Sequence, residues 1–238
     1  IAVRSRRARS TLFRFAVFCN LNFAAAAFYN FMVGALLFTT IVFLPALGQG
    51  PLGQDATRAG LMVFPRGVGT MAMMLVVGRL IDRIDHRALL AVGLAITAGA
   101  FEMMARIPPA GAGLWIAGAS IAQGIGVGLL FTPLSALAFS TLGAELRTDA
   151  AGVYSLLRQL GCASGVAVMT AVLQSRLAAL IAHDGGAVGG APPQLADAAK
   201  LAAYAGSFRI MAGVAVALLP GIFLFRILRP AAAVSAAE

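Results

Sequence analysis

Six apolar runs, each 18 residues or longer, follow one another between Asn22 and Leu228, parted by short charged or Gly/Pro-rich segments. A run of that length crosses about 30 Å of hydrocarbon as a helix, whereas a shorter one suits a buried core. Inside lipid each backbone N–H and C=O must find its partner within the protein, which leaves only helices or a closed barrel. The runs predict spans at about 22–47, 58–80, 88–105, 114–137, 150–173 and 207–228, after a basic linker (1–21) and before a short tail (230–238). Of the 238 residues, 60% are hydrophobic and 11% charged, too few polar groups to cover a water-soluble core of this size. The fold class is all-α integral membrane.

Charge collects in the gaps. The formal net charge of +9 suggests a nucleic-acid partner at first sight, but no basic face is interleaved with stacking aromatics, so none is expected. The cations sort by side instead. Arg58, Arg106, Arg176, Lys200 and Arg209 fall on one side. The N-terminal arginines, the two charged hinges and Arg226 and Arg229 fall on the other, which is richer and therefore expected to be cytoplasmic with both termini. The chain opens on Ile1 and a basic segment, not on a signal peptide, and a longer protein is expected. Cys19 and Cys162 lie near or within apolar runs and form no disulfide framework.

Two pieces repeat. Ala59-Gly60-Leu61, Arg66 and Gly69 recur 92 positions later as Ala151-Gly152-Val153, Arg158 and Gly161, and Leu36-Leu37-Phe38-Thr39 recurs as Leu129-Leu130-Phe131-Thr132. Three spans separate the copies, so the second unit enters the membrane inverted. The expected architecture is a 3+3 inverted repeat, an arrangement that builds the halves of secondary transporters.

Arg66 and Arg158 are the two cations inside spans. Arg66 lies about 12 Å along its span at 1.5 Å per residue. A guanidinium facing lipid is costly, so each should face the bundle interior or a watery cavity, as a transport-path or gate contact. A snorkelling or permanently paired structural arginine is the alternative. Gln123 is a third candidate for the cavity wall.

The hinge Gly78–Arg87 places Asp82 and Asp85 at the start of the third span, where the helix dipole favours anions. Arg79, Arg83 and Arg87 are expected to pair with them, and Gly78 to permit close approach. The segment reads either as a cytoplasmic latch (Gly78, Asp82, Arg83, Arg87) or as a solvated loop. Glu102 stands four residues before Arg106, and reads as an interfacial ion pair or as a proton-linked carboxylate. Gly124 with Gly128 and Gly161 with Gly165 have the small-xxx-small spacing of touching membrane helices. The only histidines, His86 and His183, sit at loops on opposite sides, so no catalytic or metal cluster is expected and no enzyme.

Phe64-Pro65-Arg66-Gly67-Val68-Gly69-Thr70, Gly78-Arg79-Leu80-Ile81-Asp82-Arg83 and Leu156-Leu157-Arg158-Gln159-Leu160-Gly161 together resemble the major facilitator superfamily, and more narrowly the C-terminal half of its fourteen-helix EmrB/QacA-type drug:proton antiporters. The hinge departs from the family loop at Asp85-His86-Arg87, where Gly and two basic residues are usual. The resemblance implies alternating access, export of amphipathic compounds driven by the proton gradient without a cofactor, and an inner-membrane location. It implies a missing N-terminal half and, in Gram-negative bacteria, a periplasmic adaptor. A transporter of one metabolite and a non-transporting scaffold or half-transporter relic are the competing expectations.

Overall fold

A computed structural model describes residues 20–81, 83–108, 111–140, 142, 144–183 and 193–224. Its helices are α1 (Leu21–Gln49), α2 (Ala56–Leu61), α3 (Phe64–Leu80), α4 (His86–Ala105), α5 (Ala112–Ser140), α6 (Ala144–His183) and α7 (Pro193–Leu218), with a 3-10 turn at Pro220–Leu224. α2 and α3 share one apolar stretch, so six helical segments among the described residues are long and apolar enough to cross a membrane.

Local chemistry sets the helix starts. Asn20 caps α1, its Oδ1 accepting from the N–H groups of Asn22 (3.1 Å) and Phe23 (3.4 Å). Asp55 caps α2 through Thr57 N–H (3.3 Å) and Asp85 caps α4 through Arg87 N–H (3.0 Å), each meeting one of the four orphan donors of a helix end. Pro65 opens α3, where its missing N–H is tolerated.

Three features differ from the sequence expectation. Helix α1 runs through Pro45 to Gln49, two residues past the expected end at about 47, because the proline falls in its last turns. α6 continues to His183 and α7 begins at Pro193, where the sequence predicts a gap between spans ending at about 173 and starting at about 207. Both stretches are rich in alanine and leucine, the strongest helix formers, and Pro193 stands at the helix start. The second span is interrupted, α2 ending at Leu61 and α3 starting at Phe64.

The segments alternate in direction. One apolar cluster joins the start of α1 (Phe23, Ala26), the start of α4 (Leu90, Leu94), the end of α5 (Leu134, Ala138), the start of α6 (Ala150, Val153) and the end of α7 (Leu218). A second joins the opposite ends through Phe43, Leu47, Met62, Phe101, Met104, Ile116 and Phe208. Helix α5 packs between α3 and α4, α6 lies on α1, and α7 lies on α4. Tyr29 also ties α1 to α7, its hydroxyl donating to Leu218 O at 2.5 Å.

Small residues make these crossings close. A Cβ at Gly124 would strike Arg66 O and come within 2.9 Å of Thr70 N, both on α3. One at Gly126 would lie 2.8 Å from Gly93 O on α4. Gly161 and Gly165 do the same on the α6–α1 seam, where a Cβ at Gly165 would sit 2.5 Å from Ala35 Cα. Such backbone approach is how helices associate where no hydrophobic effect drives them together.

Burial is uneven. α1, α4 and α5 are the most covered, while the α2–α3 stretch and α6 are the least. Phe64 and Met71 on α3 are 67% and 69% exposed, and Leu160 and Val168 on α6 are also bare.

Candidate functional site

The interruption between α2 and α3 organises the polar groups around it. Pro65 has no N–H to offer the preceding turn, and Arg66 N–H reaches Val63 O at 3.2 Å. Met62 O is met from outside the helix, by Ser120 Oγ of α5 at 3.1 Å. An added bond of this kind lets a broken helix persist within a membrane.

One turn further on, the half-buried Arg66 donates from Nη1 to Leu37 O of α1 at 3.2 Å. Thr70 Oγ1 lies 3.0 Å from Arg66 O and 3.1 Å from Gly124 O, sharing its single hydrogen between them. Behind these, Gln123 Nε2 donates to Thr40 Oγ1 at 2.9 Å, and Thr40 passes its own hydrogen to Leu36 O at 2.9 Å. Gln123 Oε1 is buried and has no partner among the described residues. The seam between α1, α3 and α5 thus carries a guanidinium, two hydroxyls and a carboxamide inside a membrane-spanning bundle.

A cleft of about 760 Å³ opens beside it, lined by Ile41 of α1, Gly60 and Val63, and Phe64, Arg66, Gly67, Thr70, Met71, Met74 and Leu75 of α3. Among the described residues that line it, Arg66 is the one that is charged.

Arg158 lies on the other seam. Its backbone oxygen would stand 2.7 Å, and its Cγ 3.3 Å, from a Cβ placed on Gly34 of α1. One turn earlier Asn30 Nδ2 of α1 donates to Tyr154 O of α6 at 2.8 Å. Asn30 Oδ1 and Tyr154 OH are buried without partners among the described residues. Both arginine-bearing helices therefore reach α1 within one turn of it, at Leu37 and at Gly34. Among the described residues neither arginine joins an ion pair.

The charged hinge meets one part of its expectation, with Asp85 at the start of α4, and departs from another in its ion pairs. Asp85 spends its carboxylate on the α4 N-terminus, and no ion pair joins it to Arg79, Arg83 or Arg87 among the described residues. Capping satisfies a backbone donor that would otherwise stay bare, whereas exposed pairs bring little. Arg79 turns back to Leu75 O (3.4 Å) and Arg83 is exposed. Gly78 makes no close approach, since a Cβ there would meet nothing within 4 Å. Asp82, the centre of the expected latch, lies outside the described residues, as do the linker before Asn20 and the tail.

Glu102 holds Arg106 at 2.8 Å and stands 3.9 Å from Arg209, joining α4 to α7 at the end of the bundle away from the hinge. Its side chain is partly exposed, in keeping with an interfacial pair.

Sequence reading passed over Asn30, Thr40, Thr70, Ser120 and Tyr154. The available signal was their polarity within apolar runs, where hydrogen-bonding side chains tend to face neighbouring helices.

Among the described residues, six membrane-spanning segments that alternate in direction carry an arginine-bearing polar seam that opens onto a sparsely covered face. The family model described as Major Facilitator Superfamily matches residues 2–166, and the chain belongs to that superfamily, whose members are transporters rather than enzymes. It is 26% identical over 70% of its length to Multidrug resistance protein 3 of Bacillus subtilis (strain 168), covering 33% of that protein. Similarity to the Tetracycline resistance determinant of Streptomyces rimosus is 32% over 76% of the chain and 54% of the relative. With Multidrug export protein EmrB of Haemophilus influenzae it is 26% over 67% of the chain and 32% of the relative. The chain spans between a third and about half the length of these relatives.

Proposed function

We propose that this chain is one six-helix wall of a proton-coupled exporter of amphipathic drugs or toxic compounds, working by alternating access. The observation that carries the reading is Arg66, a half-buried guanidinium without an ion-pair partner among the described residues, lining the cleft beside α3. Ionisable groups within spans tend to mark substrate or ion pathways. The relatives' names, which speak of multidrug export and tetracycline resistance, supply the direction and the substrate class.

In this reading the bare faces of α3 and α6 meet the second wall, supplied by chain beyond these residues, and the cavity lies between them. The six segments act as a 3+3 inverted repeat, with Arg66 and Arg158 as corresponding gate contacts. The charged hinge faces the cytoplasm of the inner membrane, with both termini on that side, and Asp82 with Arg83 latches it. A periplasmic adaptor rests on the resemblance alone.

The test is drug uptake into everted vesicles holding the native protein. A proton gradient should drive accumulation, and its collapse by an uncoupler should abolish it. Accumulation indifferent to the gradient would remove proton coupling, and none at all would favour the relic or scaffold.

A further inference from the structure

The cleft beside α3 combines an apolar wall with a single charge. Its volume of about 760 Å³ falls within the roughly 300–1,000 Å³ of small-molecule sites. Phe64, Met71, Met74 and Leu75 supply long apolar surface, and methionine adapts to differently shaped partners. Arg66 stands about 15 Å along the Ala56–Leu80 stretch, near the middle of a hydrocarbon layer about 30 Å thick.

A guanidinium carries five N–H donors. Arg66 is seen to use one side-chain nitrogen, on Leu37 O, and a carbonyl brings a dipole but no counter-charge. The described carboxylates that form ion pairs, Glu102 and Asp197, are taken by Arg106, Arg209 and Lys200. The site therefore presents a cation with donors to spare at a depth where an uncompensated charge is costly.

We propose that this cleft binds an amphiphile with one acidic headgroup, a carboxylate or sulfonate, held by Arg66 while its hydrocarbon lies along Phe64, Met71 and Leu75. Two N–H donors of a guanidinium match the two oxygens of such a group. A cationic amphiphile is repelled. The assignment rests on the exporter reading and deepens it, by naming the substrate class that this wall takes.

The experiment is photo-crosslinking of the native protein in a non-ionic maltoside detergent. The probes are diazirine derivatives of palmitic acid, of hexadecylamine and of phosphatidylglycerol, with labelled peptides mapped by mass spectrometry. Palmitic acid should label the stretch 60–75 about tenfold more than the amine, and Arg66→Gln should lower that labelling about tenfold. Arg66→Lys, which keeps the charge but loses the two-pronged donor, should fall between the parent and Arg66→Gln. Met71→Trp, filling the cleft without touching Arg66, should block it.

Equal labelling by the amine, or acid labelling unchanged in Arg66→Gln, would overturn the proposal. So would labelling confined to phosphatidylglycerol, which makes the cleft a structural lipid site, and so would the absence of label from the cleft, which means the rest of the protein covers it. Crosslinking needs no transport. Export by the parent protein without acid labelling of the cleft removes this inference alone, and labelling of the parent without export removes the exporter reading alone.

Discussion

Asn30 on α1 and Gln123 on α5 are fully buried, 0% and 1% exposed, and each donates from its amide nitrogen while its carboxamide oxygen finds no partner among the described residues. They stand 93 positions apart, the spacing at which Leu36-Leu37-Phe38-Thr39 returns as Leu129-Leu130-Phe131-Thr132. The parallel extends to their surroundings. Asn30 bonds the carbonyl four residues before Arg158, and Ser120 bonds the carbonyl four residues before Arg66. Gly161 crosses α1 at Phe31, and Gly69 crosses α5 at Ile121 and Ile125. These matches support the inverted repeat proposed above.

Removing the orphan oxygen of Gln123 tests what the carboxamide is for. Gln123→Met keeps the volume and leaves Thr40 still donating to Leu36 O. Deleting a half-satisfied buried polar group in this way is close to neutral, within about 1 kcal/mol. Thermal unfolding in detergent should therefore be unchanged, while drug uptake falls. Unchanged uptake would make Gln123 a packing residue only.

Arg66→Ala should lower proton-driven export about tenfold or more, with the protein still inserted and folded, because the substitution removes an intramembrane charge rather than a core side chain. Arg158→Ala should act in the same direction if the repeat makes the two corresponding. Transport rates normalised to purified, monodisperse protein check both.

The glycines divide sharply. Gly124→Ala drives a methyl into the α3 backbone and should destabilise by about 1–3 kcal/mol. Gly78→Ala meets open space and, as an interior helix position, should be neutral or stabilising by about 0.5–1 kcal/mol. Unfolding midpoints of the two variants, measured in one detergent, decide the matter.

Glu102→Gln weakens the contacts with Arg106 and Arg209 at an exposed end of the bundle. Such pairs contribute about 0–1 kcal/mol, so stability should barely move and the pH profile of export should keep its shape. Loss of gradient-driven uptake in this variant would instead place Glu102 on the proton path.

The sequence by itself determined that the chain spans a membrane with six helices and that Arg66 and Arg158 lie well inside two of them. Run length against hydrocarbon thickness and the scarcity of charge outside the gaps suffice for that, since both are local properties. The apolar periodicity could not show that α6 runs on to His183 and that α7 starts as early as Pro193, because the alanine-rich stretches there carry little apolar contrast although alanine is the best helix former. Nor could it show that Asp85 caps α4, since its spacing from the arginines fits an ion pair equally well. Only the tertiary structure decided that Ser120 meets Met62 O, that Gln123 meets Thr40, and that Arg66 bonds α1 beside a cleft whose described lining holds no carboxylate. Those contacts depend on which helix faces sit together, and in a chain apolar nearly all round no stripe of polarity announces its face. Backbone approach at Gly124, Gly126 and Gly161 fixes those faces, through close packing that hydropathy does not encode.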